Sequence, residues 1–127
     1  MILLGSTFPL TLIRRPVRIV PATLDDLRER AAGTTVLSFW GHDNTLAAAA
    51  AILGFDPRPD EQRPALTLND AQLPVLRKKD GNYVAFSEVW VLSPSYIPGY
   101  RPEIGAEVPA EKIITWQVLH ITFEPDT

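Results

Sequence analysis

The stretch from residue 34 to residue 54 confines this chain to folds in which a buried strand runs straight into a helix. Residues 34–40, Thr-Thr-Val-Leu-Ser-Phe-Trp, are β-branched, aromatic and apolar, the make-up of a buried strand. Gly41 and His42 follow, Asp43 or Asn44 is suited to cap a helix from Leu46 to Leu53, and Gly54 supplies a left-handed stop. The alanine run 47–51 combines high helix propensity with little bulk, so this helix can lie close to a sheet or to a second copy of the chain. A strand feeding a helix in this way belongs to α/β architecture.

The flanking sequence supplies partners for that unit. Ile2-Leu3-Leu4 is a short apolar strand closed by a bend at Gly5-Ser6-Thr7. Residues 17–20 read as a strand that Pro21 stops, and Thr23 with Asp25 and Asp26 opens a helix from about Leu24 to Ala32, ended by Gly33. Residues 55–64 are dense in proline and charge, an exposed connection. Short strands are expected over 65–68 and 73–76, a turn at Lys79-Asp80-Gly81-Asn82, a strand over 83–92 and a closing strand over 112–123. The stretch 93–109 between the last two carries repeated Pro and Gly and exceeds what a purely structural connection needs. These elements predict one α/β domain over residues 1–127. Its expected core is a mixed, mainly antiparallel sheet of about five or six strands flanked by two helices.

Composition removes several function classes. The chain has 127 residues, 46% hydrophobic and 21% charged, enough to bury a core without covalent staples. There is no cysteine, which rules out disulfides and thiolate metal sites, and only two histidines remain as nitrogen ligands without His-x-x-x-His spacing, so no metal and no cofactor is expected. No apolar run approaches the roughly 18 residues of a membrane span, and the N-terminus lacks a basic lead and a cleavage site. A cytoplasmic protein without membrane contact is the expectation. The formal charge of −3 argues against duplex nucleic acid as a partner, while leaving room for a local basic pocket. Neither a phosphate-binding Gly loop nor a Ser nucleophile elbow is present.

The chemistry is then sought at Trp40-Gly41-His42-Asp43-Asn44-Thr45. A histidine after a glycine, between a strand end and a helix start, sits where free backbone N–H groups can meet an anion and where an imidazole can exchange a proton near neutral pH. The plainer reading is a capped turn in which His42 bonds a backbone carbonyl. His120 falls on the face of Val118 in the last strand, where a lone histidine is usually satisfied by a neighbour. Arg58, Arg63, Arg77, Lys78, Lys79 and Arg101 read as solvated cations unless the fold clusters them. Arg101-Pro102-Glu103 offers a guanidinium beside a carboxylate, a pair able to orient a phosphodiester and a hydroxyl.

Phe39-Trp40-Gly41-His42-Asp43-Asn44-Thr45 and the small-residue helix ending Ile52-Leu53-Gly54 resemble the Gly-His-x-x-Thr segment of the viral type III anti-CRISPR ring nucleases, small archaeal-virus and phage proteins related to the B116-like family. Leu4-Gly5-Ser6-Thr7-Phe8 resembles the family's opening strand and turn, Arg63 its Asn-Arg pair, and residues 111–123 its closing strand. The resemblance implies a homodimer that binds cyclic tetra-adenylate and cleaves it without metal. On it His42 is the general acid, and Ser6, Gly41, Thr45 and Arg63 form parts of the ligand pocket. The family's Arg-Leu-x-Glu-Gly loop is missing from its expected place. Arg101-Pro102-Glu103-Ile104-Gly105 is the nearest substitute, which makes Arg101 and Glu103 the remaining catalytic candidates and leaves open a non-catalytic protein that sequesters a cyclic oligonucleotide or binds nucleic acid.

Overall fold

The strand β1 (Ile2–Gly5) lies at the centre because it has nothing polar to offer solvent on either face. Ile2, Leu3 and Leu4 are each 0% exposed. β1 runs parallel to β3 (Val36–Ser38) on one side and to β7 (Glu88–Tyr96) on the other. A run apolar on both faces is what a parallel strand covered on both sides requires. β7 pairs antiparallel with β8 (Ile113–Phe123), and β8 with the edge strand β2 (Val17–Ala22). The result is a mixed five-stranded sheet in the order β2-β8-β7-β1-β3. A smaller antiparallel sheet is made of β4 (Leu66–Leu68), β5 (Pro74–Arg77) and β6 (Tyr83–Ala85), with β5 in the middle. The computed structural model describes residues 1–41, 43–60 and 65–124, so His42 and Arg63 lie outside the described residues.

The two faces of the large sheet are buried by different means. On one face Ile2, Leu4, Trp90, Leu92 and Val118 meet Leu27 of the helix α1 (Leu24–Ala32) and Leu46, Ala49 and Leu53 of the helix α2 (Leu46–Leu53). On the other, Leu3, Val89, Val91, Ile121 and Phe123 meet Leu76 and Phe86, with Leu66 and Val84 of the small sheet packed against them. Helices, large sheet and small sheet thus form three layers. Each fully buried Leu, Ile or Val contributes roughly 1.5–3 kcal/mol, so these two clusters account for most of what favours folding.

Both helices follow from local sequence. Thr23 accepts from the Asp26 N–H at 3.1 Å while Asp26 accepts from the Thr23 N–H at 3.0 Å, a reciprocal cap that opens α1. In α2 the alanine run divides by face, with Ala48 and Ala49 buried, Ala49 against the sheet, and Ala47 and Ala51 exposed. Gly54 ends it at φ +82°. The cap of α2 differs from the expectation of Asp43 or Asn44. Asp43–Thr45 form a 3₁₀ turn, the α-helix begins at Leu46, and its N-cap Thr45 makes no side-chain cap bond. The Thr45 hydroxyl instead accepts from the Trp40 indole at 3.1 Å.

Strand boundaries also differ: β3 keeps only Val36–Ser38 of the 34–40 run, and others differ for reasons of topology. Pro21 does not stop β2, because β2 is an edge strand and its missing N–H interrupts no ladder on the open side. The alternation over 83–92 is two strands: Phe86 N–H donates to Pro74 O in the small sheet and Ser87 O accepts from Phe123 N–H in the large one, so the chain changes sheets between them. β7 runs on through Pro94 to Tyr96, beyond the Val89–Val91 segment that pairs with β1, where only β8 needs hydrogen bonds. The long connection is therefore 97–109.

Candidate functional site

Three parallel strands, β3, β1 and β7, end on the same edge of the large sheet, the edge at which α/β sheets hold ligands. Ser6 follows β1, the 40–45 junction follows β3, and Pro94 and Tyr96 close β7. Phe39 N–H donates to Leu4 O at 2.9 Å, carrying the β1–β3 ladder one step further, and Ser93 Oγ donates to Ser6 O at 2.7 Å from the other side. Gly5 permits this close approach: a Cβ there would lie 2.4 Å from the Phe39 ring. Ser6, Thr7, Thr45, Ser93, Pro94 and Tyr96 line a cavity of about 180 Å³ between the strand ends. That is smaller than the roughly 300 Å³ at which whole-ligand pockets begin, so it is sized for one fragment of a larger ligand.

The junction itself is braced from beneath. Trp40 is 1% exposed, its N–H donates to Ser38 Oγ at 3.1 Å, and Ser38 Oγ donates to Pro57 O at 2.6 Å. Val108 N–H donates to Asn44 O at 2.8 Å, which ties the far end of the 97–109 loop to the 3₁₀ turn. Gly41, Asp43 and Asn44 thereby face Ile104, Gly105 and Glu107 across a second, more open cavity of about 450 Å³.

A separate polar cluster sits on the helix-covered face, between α1 and the β2 edge. Glu88 takes a bidentate pair from Arg30 (Nη2 to Oε1 at 2.9 Å, Nε to Oε2 at 3.0 Å) and accepts from the Trp90 indole at 2.8 Å. Its Oε2 also lies 3.0 Å from His120 Nε2, and the His120 ring stacks on Trp90 with centroids 4.2 Å apart. Burial pushes the Glu88 carboxyl up, but the Arg30 and Trp90 hydrogen bonds and the Arg30 and His120 charges outweigh it and hold it below the ordinary glutamate value. An ionised carboxylate only accepts, so His120 Nε2 is the donor. Val20, Ala22, Arg30, Trp90 and His120 line a shallow groove of about 500 Å³ there. Among the described residues, no group of three or more His, Asp or Glu side chains is arranged to hold a metal ion.

No protein-family model and no curated protein matches this sequence. Among solved structures, the chain is similar to B116 of Sulfolobus turreted icosahedral virus, with a TM-score of 0.55 over 95% of this chain and 97% of that one. Sequence identity is 14%. The likeness is one of fold. It extends over nearly the whole of both chains.

Of the residues singled out by sequence, Ser6 and Thr45 come together on the small cavity, although they are 39 positions apart in the chain and both are buried. Gly41 lines the neighbouring open cavity instead. Arg101 and Glu103 are exposed and line neither, while their loop neighbours Ile104 and Gly105 do reach the Gly41 cavity. Arg58 and Lys78 pair with Asp56 and Asp80, as solvated cations do. His120 is satisfied by Glu88, the plain reading of a strand histidine. Two features went unread in the sequence. Tyr96 at the site was hidden by the expectation that Pro94 lies in a loop, and the Glu88–His120 contact depends on the register that sets Trp90 opposite His120.

Proposed function

We propose that this protein binds a cyclic oligoadenylate, cyclic tetra-adenylate by the resemblance, at the ends of β1, β3 and β7, and opens it without a metal ion. The observation that carries this reading is the meeting of Ser6 with Thr45 at one sheet edge, because it brings together residues from two of the segments that carry the resemblance to ring nucleases. The fold shared with a viral protein supports it. In the reaction a ribose 2′-oxygen attacks its adjacent phosphorus, the 2′-proton passes to a base, and the bond to the 5′-oxygen breaks. A 2′,3′-cyclic phosphate forms. His42 gives its proton to the departing 5′-oxygen, with Glu103 the candidate base, Arg101 the candidate phosphate clamp and Arg63 a further ligand residue.

The setting that follows is viral relief of type III CRISPR immunity in the cytoplasm of a host cell, by a homodimer whose twofold axis matches a ligand of twofold symmetry. A second reading, binding without cleavage, is favoured by one observation: Arg101 and Glu103 lie exposed and outside both cavities.

Incubating the pure protein with cyclic oligoadenylates of several ring sizes in chelator, and separating the products, tests both. Linear products ending in 2′,3′-cyclic phosphate support cleavage, and His42→Ala then lowers single-turnover cleavage by about 10²–10⁴-fold while binding persists. Tight binding with intact ligand selects sequestration. No binding to any ring overturns both readings, and a protein that sediments only as a monomer at micromolar concentration removes the homodimer.

A further inference from the structure

We propose that Tyr96, Tyr100 and Lys112 form a recognition platform beside the Ser6–Thr45 cavity, on which Tyr96 stacks one base of a single-stranded ribonucleotide ligand and Lys112 takes an adjoining phosphate. This rests on the reading of the site as one for a cyclic oligoadenylate. It adds residues that the sequence reading did not single out.

The β7–β8 register shifts between Ser95, opposite Thr115, and Tyr96, opposite Ile113, so Ile114 of β8 is the extra residue of a bulge at the end of the ladder. Pro94 and Tyr96, two positions apart on β7 and so on one face of it, both line the cavity with Ser6 and Thr45. Just beyond, Tyr100 N–H donates to Ile97 O at 3.1 Å and Gly99 takes φ +83°, a left-handed position that glycine adopts without strain. The tight turn folds Tyr100 back on Tyr96, ring centroids 5.6 Å apart at 67°. Ile97 N–H donates to Lys112 O at 3.0 Å, which fixes the start of β8 alongside, and Lys112 Nζ stands 5.7 Å from the Tyr100 centroid. The line from cavity to cation is thus Tyr96, Tyr100, Lys112.

Three properties suit this group to a nucleotide rather than to the core. Neither tyrosine belongs to either apolar cluster, yet both are only half-exposed, so the rings are held without being consumed by packing. Among the described residues Lys112 has no carboxylate within ion-pair distance, so apart from the Tyr100 ring its charge is uncompensated. Burial, and then the neighbouring Tyr100, raise the Tyr96 hydroxyl above its ordinary value, which keeps it a neutral donor on an uncharged ring. An aromatic face with a flanking cation is the arrangement by which single-stranded nucleic acid is held. The base finds a π-surface, the backbone finds a charge, and a cavity of fragment size takes one unit.

The test compares Tyr96→Leu, Tyr96→Phe and Lys112→Met with the native protein, measuring affinity for cyclic tetra-adenylate by calorimetry at several salt concentrations. Tyr96→Leu should weaken binding by about 5–150-fold, the loss that goes with one base–aromatic stack, and Tyr96→Phe should restore it. Lys112→Met should lower the slope of log affinity against log salt by about 0.7, one single-strand phosphate contact, with the Tyr96 variants keeping the native slope. An abasic ribose-phosphate oligomer separates the two roles further, since it should feel Lys112→Met and not Tyr96→Leu. If the native protein binds cyclic tetra-adenylate and a folded Tyr96→Leu binds it within twofold, the platform is refuted while the site reading stands. If the native protein binds no cyclic oligoadenylate, the site reading and the platform fall together.

Discussion

His120 donates from Nε2 to Glu88 Oε2 at 3.0 Å, across the one pair of neighbouring strands, β7 and β8, that runs the length of the large sheet. Glu88 is the shared acceptor for Arg30, Trp90 and His120, so a helix and two strands are fastened at one carboxylate. The contact lies on the face covered by α1. The strand-end cavity is built from other residues, so the two can be perturbed separately.

The Glu88 carboxyl is held below its ordinary value of 4.5 in the folded protein. A depressed folded value means the stabilisation is complete above the unfolded value and is lost as pH falls through the folded one. Urea unfolding should therefore show stability declining below about pH 4.5, and Glu88→Gln should flatten that decline. At pH 7 the same substitution should remove about 1–3 kcal/mol, since it leaves the Arg30 charge without its counter-ion. Unaltered pH dependence in Glu88→Gln would show that the cluster does not couple to folding.

Gly5→Ala tests the close approach at the strand ends. The added Cβ would sit 2.4 Å from the Phe39 ring, which in turn packs edge-on against Phe8 at 6.0 Å. The ring must swing away, at a cost of about 1–3 kcal/mol. Because Gly5 precedes Ser6, ligand affinity should fall together with the thermal midpoint. A variant of native stability would mean the Phe39 ring moves freely.

Thr45→Val removes the oxygen that receives the Trp40 indole proton while keeping the side-chain shape. A loss of about 1 kcal/mol is expected, with Thr45→Ser close to native. Indole NMR of Trp40 reads the same bond directly. An unshifted indole proton resonance in Thr45→Val would contradict the assignment.

Arg101→Ala and Glu103→Ala should leave stability within about 0.5 kcal/mol, because both side chains are exposed. Where cleavage occurs, their effect on turnover decides whether this loop takes part in it. Cleavage lost in both, at native stability, places the 97–109 loop in the reaction. Cleavage unaffected in both would assign the chemistry to other residues.

Much of the architecture was legible because it is written in local terms. The helix bounds Leu24–Ala32 and Leu46–Leu53 follow from the Thr23 cap, the Asp25 and Asp26 first turn, the alanine run and Gly54. Each acts within a turn or two of chain. The burial of β1 was legible from Ile2-Leu3-Leu4, since three consecutive apolar residues leave no face for water.

What the sequence alone determined, then, was most of the elements and the two segments, Ser6 and the Trp40–Thr45 junction, that carry the candidate site. Only the tertiary structure decided which of them meet. Whether Pro94 interrupts a strand depends on whether a neighbour needs its missing N–H, and β1 ends before it does. Whether Glu88, Trp90 and His120 form a cluster depends on a register between strands separated by the long loop. Tyr96 reaches the cavity because β7 continues past Pro94 and sets the two on one face, and Arg101 and Glu103 lie in the loop beyond it, outside the cavity. Hydrogen-bond pairing between strands is non-local: the same alternating residues satisfy several registers, and the packing of both faces selects one.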